Sequence, residues 1–297
     1  MSHATLLVAR EPIGPDLTPH SFLRLFPTPS EVVPEELIHD DLWDCSQDRN
    51  SSGRPKVLIN MVSSLDGRIS VDGKAGAIGG VADRRLMRIL RSRVDAVMFG
   101  AGTLRSEKIS LGVPPDLSLL RTSRSLSEQP IHIILTGIQE PELKNIVDPI
   151  PDRTILFMRE GMKTDEEGSS SPIMGEIVEV PVNSQGMVDL HAALAILHRE
   201  QGVRTLLVEG GPSLNHSMIV QGLADEIHLT LAPKILGGDT EPPASIVNGP
   251  FTNPHAKHEL ISIYTPCEAP GSLELDLFLR YKLTKRDRAE DPSVSDK

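Results

Sequence analysis

Residues Thr205–Gly222 read TLLVEGGPSLNHSMIVQG, and the order of that stretch decides the fold. Thr205 to Val208 make an apolar run of the length and β-branched character that suit a buried strand. Gly210 and Gly211 let the backbone turn sharply and approach a ligand. Pro212 suits a first helical turn, Ser213 is placed to cap it, and the helical pattern ends at Gly222. A strand, a Gly-Gly loop and a helix start form one unit of an α/β sheet, and the N–H groups of that start attract anions. Glu209 puts a carboxylate beside this anion site. That placement needs its own explanation.

The same grammar extends in both directions. KVLIN (56–60), DAVMFG (95–100), IHIIL (131–135) and RTILF (153–157) are further short apolar runs of the buried parallel-strand kind. Between them, Asp83 is expected to N-cap RRLMRILRS, whose Leu86, Ile89 and Leu90 share a face. Asp189 likewise opens LHAALAILHREQ, with Gly202 as its C′ residue. The end changes character: EIHLTLAP (226–233) alternates with period two, and ELISIYT and LELDLFLRY follow with no helix between. The expectation is a mixed, mostly parallel central sheet with helices on both faces and antiparallel C-terminal edge strands.

Residues 1–54 are rich in Pro, Asp and Glu and read as an extension that packs on the main domain with little periodic structure of its own. Residues 55–283 form that domain, and the charged, apolar-poor 284–297 reads as a disordered tail. Polar loops are expected near 108–129 and 159–174.

Composition excludes several classes. The 297 residues carry a net charge of −11, without the basic stripe that nucleic acid requires. No apolar run has membrane-spanning length, and the first residues lack the order of a secretion signal. Cys45 and Cys267 stand far apart in no CxxC pattern; one disulfide is open to them, and two unpaired buried thiols in a reducing cytosol are the favoured reading. The ten histidines form no ligand-spaced cluster, so no metal is expected.

Three loops carry candidate chemistry. In INMVSSLDGRI, Asn60, Ser64 and Asp66 crowd the carboxyl end of a strand ending near Met61, where open α/β sheets bind ligands. The plain alternative is a Ser/Asx turn satisfying local backbone groups. In DAVMFGAGTLRSE, Gly100 and Gly102 admit close backbone approach, and Thr103 offers a hydroxyl to a phosphate or ribose. Arg105 occupies the place of a third glycine, so this is not the dinucleotide fingerprint. The third loop is the opening stretch, with a tight strand-to-helix turn as its plain reading.

In this order NMVSSLDGR, DAVMFGAGT and LLVEGGPSLN…GLADEIHLTLAPKILGG closely resemble the reductase domain of riboflavin biosynthesis, over roughly residues 55–282. That family comprises the bacterial RibD C-terminal domain and pyrimidine reductase-like proteins, with a dihydrofolate reductase-like fold. The lead-in RLFP (Arg24–Pro27) and the terminal FLRY (Phe278–Tyr281) resemble its actinobacterial-type branch. The resemblance implies NADPH-dependent reduction of 2,5-diamino-6-ribosylamino-4(3H)-pyrimidinone 5′-phosphate, or its uracil counterpart, to the ribitylamino compound. It also implies a homodimer formed through the sheets and edge strands.

By the same resemblance the cofactor lies against Val62, Gly100, Gly102, Thr103, Glu107, Thr136, Gly137 and the loop Gly210, Gly211, Pro212, Ser213, Leu214 and Asn215. Asn60, Ser64, Arg91 and Glu209 meet the substrate, and Asp66 and Glu209 are the candidate proton carriers. Glu107 replaces an aspartate that the family places after GxGT, and the family's phosphate-binding arginine further along has no counterpart at its position. Lys108, Arg121 and Arg124 are the substitutes the long loop offers. Two other readings stand beside this one. One is a reductase of another heterocycle, such as dihydrofolate or dihydropteridine; the other is a nucleotide-binding protein without turnover.

Overall fold

The computed structural model of the chain describes residues 21–37, 53–71, 74–106, 112–136, 153–161, 176–238, 245–250, 258–267 and 275–284. Strands β1 (Phe22–Phe26), β2 (Ser30–Val32), β3 (Lys56–Ser64) and β4 (Ala96–Gly100) are followed by β5 (Ile131–Thr136), β6 (Thr154–Arg159) and β7 (Glu176–Val180). The last four are β8 (Thr205–Val208), β9 (Glu226–Ala232), β10 (Glu259–Pro266) and β11 (Leu277–Lys282). All lie in one sheet of order β2-β1-β10-β11-β9-β3-β8-β4-β5-β6-β7. From β9 to β7 the neighbours run parallel; β11, β10, β1 and β2 add antiparallel pairs at the other side.

The helices are α1 (Val81–Arg93), α2 (Ala101–Ser106), α3 (Pro115–Ser123), α4 (Leu190–Arg199) and α5 (Pro212–Val220). Parallel strands covered on both faces must be apolar at successive residues. Val57 and Ile59 accordingly join the core beneath α4 and α5, with Leu194, Leu197, Leu214 and Met218. Leu58 between them joins the opposite core beneath α1 and α3, with Leu86, Ile89, Leu90 and Leu117. This alternation places Asn60, Val62 and Ser64 on the α1 face, in register with His228, Thr230 and Ala232 of β9.

Each strand expected from the sequence is present, and Asp189 caps α4 by accepting from the N–H groups of His191 and Ala192. Several details differ. The α1 N-cap is Gly80, and Asp83 is the third helical residue. Gly211 caps α5, and Ser213 lies exposed in its first turn without a cap bond. β3 does not end at Met61 but continues to Ser64, because β9 pairs with it that far. The stretch read as the loop 108–129 contains α3, started by Pro115 at its first turn. The 159–174 loop lies almost wholly outside the described residues.

The segment before residue 54 contributes regular structure after all. β1 pairs with β10, and β2 with β1. Phe22 is wholly buried with Val32, Tyr264 and Phe278, its ring tilted 59° to Phe278 at 5.8 Å between centroids. One turn of 3₁₀ helix, Pro34–Leu37, adds the buried Leu37. Strands of five and three residues at a sheet edge carry little periodic signal, which is why composition alone pointed to coil.

Candidate functional site: a cleft at the carboxyl ends of the strands

The β3–β8 ladder ends at Ile59 and Val208, whereas β3 runs on beside β9 to Ser64. The two ladders therefore part, and the loops after β8 and β4 fill the rim of the crevice. Open α/β sheets bind ligands in such crevices. Gly100 N–H donates to Gly210 O at 2.9 Å, and Glu209 N–H donates to Met98 O at 3.0 Å, which joins the two loops.

Glycine is required at the junction. Gly210 has φ +86°, joined to Gly211 by a cis peptide, and a β-carbon on it would lie 3.3 Å from Met61 Sδ. A β-carbon on Gly211 would lie 2.8 Å from Thr103 Oγ1. Gly100, Thr103, Gly210 and Gly211 thus lie together. α5 starts here without a side-chain cap, and Asn215 directs Nδ2 to Ile246 O at 2.9 Å. Its buried Oδ1 has no partner among the described residues. These features suit a phosphate-bearing ligand approaching along the backbone.

Glu209 points the other way. Arg91, reaching from α1, grips it with two bonds: Nε to Oε1 and Nη2 to Oε2, both 2.7 Å. The Arg91 side chain is 2% exposed and that of Glu209 8%, and the guanidinium also rests 5.8 Å from the Phe99 ring centroid. The carboxylate beside the anion site is therefore neutralised on the α1 face, while Leu214 and Met218 seat α5 in the core on the opposite face. Glycine loop and carboxylate serve different sides of the sheet.

Asp66 proves to be a strut. It accepts from Ser64 Oγ at 2.5 Å and from the N–H groups of Leu236 and Gly237, the latter at 2.7 Å. The Ser64 bond first, and those N–H bonds next, lower its carboxyl from 3.8 to about 2. A group so firmly ionised holds the turn after β9 in place and makes a poor proton donor. Asn60 and Val62 lie half-buried on the α1 face, and Thr136 is buried at the end of β5. Glu107, Lys108 and Gly137 lie outside the described residues.

Arg121 does not replace the missing phosphate ligand. It is fully buried, and its Nη1 donates to Arg91 O at 2.8 Å and Val94 O at 2.7 Å, with Nε on Ser127 O at 2.7 Å. Burial pushes its guanidinium down to about 10, and it serves to tie off the end of α1. The sequence reading gave no role to Lys234, which lies just after β9. Lys234 Nζ donates to Ile78 O at 3.0 Å, bracing the turn before α1. Among the described residues, no three His, Cys, Asp or Glu side chains are arranged to hold a metal, and no helix is long and apolar enough to cross a membrane.

Fold and candidate site together define an α/β protein whose glycine loops and Arg91–Glu209 pair gather at the strand ends. The chain belongs to the RibD C-terminal domain family, whose model matches residues 55–268. It is 30% identical over 187 residues to the 2,5-diamino-6-ribosylamino-4(3H)-pyrimidinone 5′-phosphate reductase of Methanothermobacter thermautotrophicus, covering 62% of this chain and 81% of that one. The protein of the same name from Archaeoglobus fulgidus is 32% identical over 191 residues, covering 64% and 85%. Among solved structures, a pyrimidine reductase-like protein from Corynebacterium diphtheriae superposes with a TM-score of 0.65, covering 86% of this chain and 100% of that one at 21% identity, which establishes a shared fold. Its relatives make the protein an oxidoreductase of the riboflavin-biosynthesis type.

Proposed function

We propose that this protein reduces the ribosylamino group of a 2,5-diamino-6-ribosylaminopyrimidinone 5′-phosphate, or its uracil counterpart, to ribitylamino, with NADPH as reductant. The observation that carries the reading is the Arg91–Glu209 pair on the α1 face, one residue from the glycine loop. An anchored carboxylate accepts hydrogen bonds from the amino groups of a pyrimidine, and the loop beside it takes phosphates. A nicotinamide cofactor supplies the hydride when bound. Gly100, Thr103, Gly210, Gly211 and Asn215 would hold it; their close backbone approach fits that use, as does Asn215 Oδ1, which has no partner among the described residues. Val62, in register with Thr230, would separate the two ligands. The chain's own task is placement and exclusion of water.

The substrate phosphate would meet α1. Arg84, Arg88 and Arg91 share one stripe of that helix. Burial, and then Arg84, Arg91 and Arg85, push the Arg88 guanidinium below its ordinary value, a crowding that an anion relieves. A dimer would use the sheet face opposite α1. There Ile227, Leu229 and Leu231 of β9 align with Tyr281, Leu279 and Leu277 of β11, all half-buried. β1 already occupies the β10 edge, so pairing is by faces. A cytoplasmic location belongs to the same reading. The test is NADPH oxidation with the purified protein and each pyrimidine. Oxidation with either supports the reading, and binding of both ligands without oxidation overturns it.

A further inference from the structure

A carboxylate that receives the amino groups of a heterocycle must keep one plane, and Glu209 is only as steady as the arginine that grips it. An arginine side chain is long and has many rotamers to lose, so the fork needs supports of its own. Arg91 finds them in the segment 112–129, which includes α3 and packs beside α1. Its Nη1 donates to Gly112 O at 3.3 Å. At the other end of the residue, Arg91 O accepts from Arg121 Nη1 at 2.8 Å.

Gln129 joins these two supports. Its Oε1 accepts from Val113 N–H at 2.8 Å, and its Nε2 donates to Val113 O at 3.0 Å. Two opposite bonds to one residue fix which end of the amide is oxygen. They also hold the peptide that carries Gly112 O, since that carbonyl is bonded to Val113 N. Gly112 has φ +89°, and a β-carbon there would lie 2.6 Å from Gln129 Oε1, so the chain keeps a glycine where the amide docks. Ser127 Oγ donates to Gln129 O at 2.7 Å, and Arg121 Nε donates to Ser127 O at 2.7 Å. The bonds therefore run from the Arg91 guanidinium through Gly112, Val113, Gln129, Ser127 and Arg121, and return to the Arg91 carbonyl.

We propose that Gln129 is a positioning residue for substrate binding, an inference that rests on the reductase reading above. It acts through Gly112 and Arg91 on the plane of the Glu209 carboxylate. Arg121 secures the main chain of Arg91, which α1 already fixes, and its loss would leave a void in the core. Gln129 is half-buried and governs the guanidinium end, where freedom remains. Without its amide the Gly112 carbonyl drifts, Arg91 Nη1 loses its hold, and the two bonds to Glu209 carry the fork alone. The carboxylate then samples several planes, and the pyrimidine must order it on binding. That cost falls on association of the pyrimidine more than on hydride transfer, because the contact is made in the ground and transition states alike.

The experiment measures kcat and KM for the ribosylaminopyrimidine phosphate, with NADPH Kd by calorimetry, in wild type, Gln129→Met, Glu209→Gln and the double variant. Gln129→Met keeps length and bulk and removes both hydrogen bonds to Val113. Pyrimidine KM should rise ~10-fold, with kcat within about 2-fold and NADPH Kd unchanged. Added to Glu209→Gln, the same change should do little more, because both act through one carboxylate. An unchanged KM, or effects that multiply in the double variant, overturn the assignment. NMR of the ligand-free protein accompanies the kinetics. The Arg91 Nε–H resonance, identified by its Overhauser contact with the Phe99 ring, should exchange with solvent ~10-fold faster in Gln129→Met than in wild type. Equal exchange rates also overturn the proposal. A folded wild type that binds both ligands and oxidises no NADPH sinks the reductase reading instead, while the exchange rates still judge Gln129.

Discussion

Two buried Arg–Glu pairs in this molecule have nearly the same chemistry and opposite surroundings. Arg91 grips Glu209 with two 2.7 Å bonds at the mouth of the cleft. Arg280 grips Glu226 at 2.8 and 3.3 Å, joined by Lys56 at 2.9 Å, within the antiparallel part of the sheet. Burial alone would raise the Glu226 carboxyl, but His228, Arg280 and Lys56 together hold it well below the ordinary range. Burial keeps His228 itself low and therefore neutral. What separates the pairs is position along the strands: Glu226 opens β9, and Glu209 follows the last residue of β8. A charge pair where strands begin fastens the sheet, and one where they end can serve a ligand.

Breaking each pair should expose that division. Glu226→Ala leaves Arg280 buried with its countercharge removed and should cost about 3–5 kcal/mol of stability. Urea unfolding measures it, and NADPH affinity of the folded fraction should be unchanged. The depressed Glu226 carboxyl adds stability above its ordinary pKa that is lost as pH falls towards the folded value. Glu226→Gln should therefore flatten the acid limb of the melting profile.

Glu209→Gln also leaves a buried arginine without its countercharge and should cost stability of a similar order, about 3–5 kcal/mol, but here activity should fall with it. Its kcat/KM for the pyrimidine should fall roughly 10–100-fold, the equivalent of ~1.5–3 kcal/mol for a hydrogen bond to a charged group. Unchanged turnover and affinity would remove Glu209 from the substrate site. Gly210→Ala forces a side chain into the left-handed region and should cost ~1–2 kcal/mol. Most of that loss should appear as weaker NADPH binding in calorimetry, since the new methyl group also presses on Met61. Asp66→Asn is the mildest change. Wild type loses the Asp66 contribution as pH falls from about 4 to about 2, and the variant's melting temperature should vary less across that window.

The same contrast explains what the sequence could disclose. KVLIN and TLLVE announce themselves because both faces of β3 and β8 are covered, leaving no room for polar residues. EIVEV of β7 does not, since an edge strand with three of five side chains exposed looks like coil. The glycine loop is local and legible. The Arg91–Glu209 bond joins residues 118 apart, so only the family resemblance placed both at one site. Asp83 read as a helix cap because its type and position match one. The cap is Gly80 instead, in extended backbone, which leaves Asp83 as the third helical residue.

The central claim is hydride transfer in this cleft from a nicotinamide to the sugar carbon of a ribosylaminopyrimidine phosphate. NADPH deuterated at the transferable C4 position, incubated with the purified protein and that substrate, tests it by mass spectrometry of the product. The account predicts a ribitylamino product carrying the deuterium at C1′, at a rate that collapses in Glu209→Gln. NADPH oxidation that leaves no deuterium on the product, or no oxidation by folded protein that binds both ligands, would contradict it.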